Sequence, residues 1–280
     1  MDLQDIHKRQ DRYWDSMIQG FEEHLRAVIA KAQAKLSGYL AENLTLENGQ
    51  IARTPANYRI MRTLDQKFIS FLNEAGYESL INAFVNAFPS QQPFLQDTLD
   101  YIGQATGQTY GLDFSVRDLN AFAAFRLNAV SSLEAVAETA GRTAMQQALL
   151  SIAGLKFTEL VESLAEKFQA SIPRATTIAE SAMTTFYRTM ADTNFQKIEF
   201  GFKELQYRYS GPEDLKNRPF CHKLLMKDLG YTRDQIAQMD NGQIPNVLIS
   251  CGGWNCRHMW IIDTRPLEKK LGGEQDVAAQ

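Results

Sequence analysis

The chain has 280 residues, 44% of them hydrophobic and 22% charged, with a formal net charge of -4, an ordinary composition for a folded globular protein. The acidic balance, with no long Lys/Arg block, excludes a general nucleic-acid coat, and no apolar run approaches the roughly 20 residues of a membrane-spanning helix. The opening MDLQDIHKRQ is charged from Asp2 and carries no signal-peptide core, and three cysteines fit a reducing compartment, so the expectation is a chain made in cytoplasm, without a membrane partner.

From Asp2 to about Asn43, apolar residues fall at Trp14, Met17, Ile18, Phe21, Leu25, Val28, Ile29, Ala32, Leu36, Tyr39 and Leu40. Gaps of three and four predict one long helix with a single apolar stripe, either a domain core or a seam for a partner helix. Asn48-Gly49 and Pro55 stop it. A second helix is expected over about 56–75, on Ile60, Leu64, Phe68, Ile69 and Phe71, and a third over about 78–88, where PSQQP breaks the pattern. A polar passage with Gly103, Gly107 and Gly111 follows.

Ser115 with Asp118 three residues on makes a capping-box-like start. The Ala-rich periodic stretch after it reads as one long helix or two stacked ones, weakest at Gly141 and Gly154. The helical pattern continues over about 155–170, ends at Pro173, and resumes over about 176–194. Around Phe195 the pattern changes. Ile198, Phe200, Phe202, Leu205, Tyr207 and Tyr209 alternate with polar residues, which predicts one strand or a strand pair ended by Ser210-Gly211-Pro212. The expected class is α+β: a helical domain over 1–195 with long helices, a small β-containing module over 196–265, and a flexible tail over 266–280.

That module holds a concentration of soft ligands: Cys221, His222, Cys251, Cys256 and His258. Zinc takes four such ligands from short local pairs. Cys256 and His258 would be one pair, lying on the same face if the chain is extended there. Cys221 or His222 would add a third ligand and Cys251 a fourth, although C-x4-C-x-H is not a standard finger spacing. A Cys221–Cys256 disulfide, closing a loop of about 35 residues, would contribute roughly 3–4 kcal/mol. A catalytic Cys221 with His258 as its base lacks a visible oxyanion hole or orienting acid. In the remaining reading the cysteines are small buried apolar residues, with Trp254 and Trp260 packed inward around a Gly252-Gly253 turn. Walker A, G-x-G-x-x-G, H-E-x-x-H and zinc-deaminase signatures do not occur, and nothing compels an enzyme.

Taken in order, YRYSGPEDLKNRPFCHKLL, YTRDQIAQMDNGQ and CGGWNCRHMW resemble the C-terminal module of tailed-phage minor head proteins, the head-morphogenesis family typified by protein F of phage Mu. The matching positions are Gly211, Pro212, Asp214, Arg218, Pro219, Phe220 and Cys221; then Asp240, Asn241, Gly242 and Gln243; then Gly252, Gly253, Trp254, Asn255, Cys256, Arg257, His258 and Trp260. The likeness covers about residues 196–262. Asn217 stands where the family usually has Thr, and Cys251 lies outside the family's usual cysteine positions. The resemblance implies a structural virion protein rather than an enzyme, assembled in the host cytoplasm and attached near the portal vertex. Such proteins assist head morphogenesis, DNA packaging or delivery, with the portal protein, head subunits or packaged DNA as partners and oligomeric placement in the particle. No cofactor is expected beyond the structural zinc read above from Cys221, Cys251, Cys256 and His258. A neck adaptor is a related reading, and a metal-dependent nuclease or transferase using the 221–258 cluster is the reading from another class. Arg218 and Arg257, each close to a cluster cysteine, would hold loop carbonyls or Asp214, or else contact a DNA phosphate.

Overall fold

The computed structural model describes residues 2–151, 155–202 and 205–266. The expected tail, apart from its first residue, and the expected weak point at Gly154 lie outside those residues. The class is α+β, with long helices over the first two thirds and short strands gathered in the C-terminal part. The chain packs as two compact units, and neither is one run of sequence. One contains residues 1–15, 87–125 and those from 180 on; the other contains 16–86 and 126–179. The linear boundary drawn at 195 is therefore not where the chain divides. Residues 196–265 share a unit with pieces of three earlier segments.

Helix α1 (Leu3–Asn43) forms as its spacing predicts. Trp14, Phe21, Leu25, Val28, Ile29, Ala32, Leu36 and Leu40 are all buried, so the stripe is core. After it, β1 (Leu46–Glu47) and β2 (Gln50–Ile51) pair antiparallel. Their two-residue turn, Asn48-Gly49, has positive φ at both positions, as the twist of a tight hairpin requires. The sequence reading saw only a helix stop here. Buried Asn57 ties the hairpin down: its amide donates to the Thr45 and Ala52 carbonyls, and its Oδ1 accepts from Thr45 N–H.

The helix expected over 56–75 is two helices, α2 (Pro55–Arg62) and α3 (Leu64–Glu74). Thr63 leaves helical geometry at φ -111°, ψ 10°, and its hydroxyl bonds back to the Ile60 carbonyl, the local competition that makes Thr a poor helix-interior residue. Next come α4 (Tyr77–Asn86) and a 3-10 turn (Phe88–Gln91). The first part of the polar, Gly-rich passage is a helix, α5 (Gln92–Thr106), with Leu95, Leu99 and Ile102 buried. Gly103 lies inside it and Gly107 just beyond its end. The capping box forms as expected: Ser115 N–H donates to Asp118 Oδ2 (2.8 Å) and Asp118 N–H to Ser115 Oγ (3.2 Å). It opens α6 (Val116–Ser151), one unbroken helix through Gly141.

Helix α7 (Phe157–Gln169) follows, then α8 (Ile172–Glu199). Pro173 does not end a helix; it sits in the first turn of α8, where its missing N–H costs nothing. Helix α8 also runs on through Ile198, so the alternation from there to Phe202 was not a strand. Among the described residues of this stretch, the strand is β3 (Tyr207–Ser210).

In the unit built from 16–86 and 126–179, Phe68 and Phe168 stack with ring centroids 3.5 Å apart. Leu25, Ile29, Leu72, Tyr77, Val136 and Ala140 are buried in the same unit, and the Tyr77 hydroxyl donates to the Leu133 carbonyl at 2.7 Å. Phe68→Ala removes one face of that stack from a filled core. It should lower unfolding stability by about 3–5 kcal/mol, measured by denaturant titration; a loss under about 1 kcal/mol would mean the site collapses around the gap.

In the other unit, Phe186 of α8 touches Phe88, Phe122 and Phe125. Trp14 meets Tyr187 edge-on and donates from Nε1 to Gln91 Oε1 (2.6 Å). The C-terminal region adds α9 (Pro219–Lys227), β4 (Gly230–Tyr231), α10 (Arg233–Ala237), α11 (Val247–Ser250) and β5 (Met259–Ile262). The sheet order is β4-β3-β5, all antiparallel, with Tyr209 opposite Trp260 and Ser210 opposite Met259. Arg233 fastens the sheet to α8: its guanidinium bonds Asp192 (2.7 Å), Glu199 (3.0 Å) and the Tyr207 hydroxyl (2.8 Å).

Candidate metal centre

Cys221 lies in the first turn of α9, which Pro219 opens. Position 221 faces inward and is buried, while the next residue on the helix, His222, is exposed. Neighbouring side chains on a helix do not share a face, so Cys221 and not His222 joins the cluster. Cys256 and His258 come from the segment entering β5, two residues apart and both buried. The Cys221 and Cys256 sulfurs are 3.9 Å apart, and Cys256 Sγ is 3.5 Å from His258 Nδ1. The three ligand atoms all lie within 4.8 Å of one another. All three cysteines are free thiols, since a disulfide needs sulfurs about 2.05 Å apart. The segment of Phe220-Cys221 thus folds against that of Asn255–His258.

Cys251 departs from expectation. It is buried, but among the described residues the cluster that could hold an ion is Cys221, Cys256 and His258 alone. Its backbone adopts φ 52°, and its thiol lies 4.0 Å from the Leu248 carbonyl. Burial pushes its thiol up to about 12, as for an apolar packing residue.

The glycines and polar motif residues build the walls. A Cβ on Gly252 would overlap Cys221 Sγ, so only glycine lets the turn close over the sulfur. Gly252 N–H donates to Cys256 Sγ at 3.2 Å. Asn241 accepts from the Gln243 and Ile244 amides and donates to the Cys251 carbonyl; Gln243 in turn accepts from Trp254 N–H. Trp254 itself is 47% exposed, against the expectation that it packs inward, because the turn hands it to solvent once Gly253 is fixed. Trp260 is buried and donates to the Val247 carbonyl. Arg218 donates to the carbonyls of Gly252 and Trp254. Arg257 grips both oxygens of Asp214 at 2.7 Å and reaches Asp11 at 3.4 Å. A guanidinium held by two carboxylates has its charge answered within the protein and is no longer a free phosphate contact.

Two residues that sequence reasoning passed over hold the centre together. Arg188 of α8 is buried and donates to the carbonyls of His258 (2.8 Å), Ile249 (3.4 Å) and Cys256. Its only sequence signal is an arginine set among Phe186, Tyr187, Met190 and Ala191, residues of a buried face. Tyr209 of β3 stacks on the His258 ring and places its hydroxyl 3.4 Å from both Sγ atoms. Burial, and then the cysteines around it, push the Tyr209 phenol well above its usual range.

Electrostatically the two sulfurs are unequal. The hydrogen bond from Cys221 draws the Cys256 thiol down; burial opposes this, and the Arg188 charge adds to it. The same hydrogen bond, with burial and the charge on Cys256, pushes Cys221 up.

His7 of α1 lies beside this region, its Nδ1 3.2 Å from Ser210 Oγ. Burial, then the Arg208 charge, hold its imidazole down at about 4, from an ordinary 6.5. The unfolded chain takes up this proton below about pH 6.5 and the folded chain only near pH 4, so acid favours unfolding within that window. The stability lost should reach up to about 3 kcal/mol at roughly 1.4 kcal/mol per unit. Asp11 and Glu180, whose carboxyls burial pushes up, hold protons more tightly when folded and oppose the trend. The comparison of melting temperature with His7→Asn between pH 7 and 4 therefore isolates it: the variant should lose less stability than the parent, and equal losses would refute the assignment.

No protein-family model, curated protein or solved structure matches this chain.

Proposed function

We propose that this chain is a structural protein of a tailed-phage particle, a minor head protein seated at the portal vertex that assists head morphogenesis, DNA packaging or delivery. The observation supporting this is where the residues of the phage-head resemblance sit. Gly211, Arg218, Cys221, Asn241, Gln243, Gly252, Cys256, Arg257 and His258 all bear on one interlocked knot of turns. Their roles there are to close turns, satisfy carbonyls and converge on a buried cluster, which are the roles of a rigid assembly module. A metal-dependent enzyme would need its cluster open to substrate, yet Cys221, Cys256 and His258 are each 2–3% exposed.

On this reading the partners are the portal protein and head subunits, and localisation is the virion. The test is fractionation of particles from infected cells. The chain should co-sediment with heads or with detergent-released portal; a freely soluble monomer absent from every particle fraction would overturn the proposal. Copy number separates a minor head protein, present in a few copies, from a neck adaptor forming a full ring.

A further inference from the structure

Of the three donor atoms in the buried cluster, His258 Nδ1 is the informative one. The other ring nitrogen, Nε2, lies 2.8 Å from the Pro212 carbonyl. A carbonyl oxygen only accepts, so Nε2 carries the N–H, and in the neutral ring Nδ1 is a bare lone pair aimed at Cys256 Sγ. A histidine that ligates through one nitrogen while the other donates to a backbone carbonyl is the usual outer-partner arrangement of a protein metal site. Cys256 Sγ already receives Gly252 N–H, so its remaining lone pairs also face inward.

Two of the spacings match one small tetrahedral ion, and all three donors lie within 4.8 Å of one another. With metal–sulfur bonds of about 2.3 Å and metal–nitrogen bonds of about 2.0–2.1 Å, tetrahedral angles put two sulfurs about 3.8 Å apart and sulfur and nitrogen about 3.6 Å apart. The structure has 3.9 Å and 3.5 Å. The fourth side is closed by the Tyr209 hydroxyl, 3.4 Å from each sulfur, where an oxygen on the same ion would stand about 3.5 Å away. Two thiolates and a neutral imidazole balance a divalent charge, and the Arg188 cation behind the Cys256 and His258 carbonyls offsets any surplus anion.

We propose that Cys221 Sγ, Cys256 Sγ and His258 Nδ1 bind one thiophilic divalent cation of the zinc class as a structural site, with Tyr209 covering the fourth position and Cys251 excluded. Binding releases the thiol protons to solvent and changes no oxidation state. The site is closed to solvent, and its ion locks α9 to the entry of β5. This rests on the local geometry and stands or falls independently of the virion reading.

The experiment uses the full chain, purified under reducing conditions and assayed for zinc, then stripped with chelator and titrated with Co2+. One zinc per chain is expected, with a visible spectrum of tetrahedral cobalt and a thiolate-to-cobalt charge-transfer band. X-ray absorption at the zinc edge should show two sulfurs and one imidazole nitrogen. Cys256→Ser and His258→Ala should each weaken affinity by more than the roughly 10–100-fold typical of losing an outer partner, while Cys251→Ser should keep the ion. A chain that holds no zinc and gives no cobalt–thiolate band overturns the site, whether its cysteines titrate as three thiols or as one thiol and a disulfide. Three sulfurs in the absorption fit overturn the exclusion of Cys251, and that result does not depend on any variant folding.

Discussion

Arg188→Met should unfold the C-terminal turn cluster more readily than any surface change in the chain. The methionine fills much of the volume, but the carbonyls of His258, Ile249 and Cys256 lose their donor. Each orphaned carbonyl costs about 1–3 kcal/mol; relief from burying the guanidinium offsets part of this, since a desolvated charge is itself expensive. The carbonyls win because a single planar fork serves all three. A net loss of about 3 kcal/mol would lower the melting temperature by roughly 6–12 °C for a chain of this size. Arg188→Lys keeps the charge but not the fork and should recover less than half the loss. A methionine variant as stable as the parent would mean that desolvation outweighs the hydrogen bonds.

Gly211→Ala should be nearly as damaging by a different route. Gly211 has φ 150°, outside the range side chains prefer, and an added Cβ would stand 2.7 Å from His258 Cδ2 and 2.9 Å from His258 Cα. A ring can tilt, but a backbone atom held in the strand entry cannot. Strained backbone of this kind costs about 1–3 kcal/mol, and forced overpacking costs about as much again. The expected loss is therefore about 2–6 kcal/mol, read from denaturant midpoints. Because the displaced residue is His258, the proposed metal site would also lose zinc in the same variant. A stable variant with full zinc content would show that β3 and the 258 segment separate freely.

Legibility in the sequence followed the range of the interaction. The α1 stripe and the Ser115–Asp118 box are set by neighbours within one or two turns, and both were readable. The soft-ligand pair Cys256 and His258 was readable because two residues of spacing suffice to place it. Helix α5 was missed because Gly103 argued locally for a loop, whereas Leu95, Leu99 and Ile102 are held by packing no local rule sees. The extra strand residues assigned at 198–202 failed because period two over so short a stretch also fits a fraying helix end. Arg188 and Tyr209 were invisible for a plainer reason. An arginine in a helix and a tyrosine in a strand announce nothing until the segment each one serves, some 70 and 47 residues further on, has been brought beside it.

The unit containing the cluster draws on residues 1–15, 87–125 and the region from 180 on, with contacts such as His7 to Ser210 and Asp11 to Arg257 bridging more than 200 positions. Contacts so distant along the chain are slow to form, because the loop between them must be closed first. During synthesis the leading part of α1 therefore waits for the last of its contacts, Asp11 with Arg257, until residues past 250 have been made. Competence for any later docking would thus arrive as one late event, and a chain interrupted before that point would present sticky, half-built surface rather than a smaller working piece.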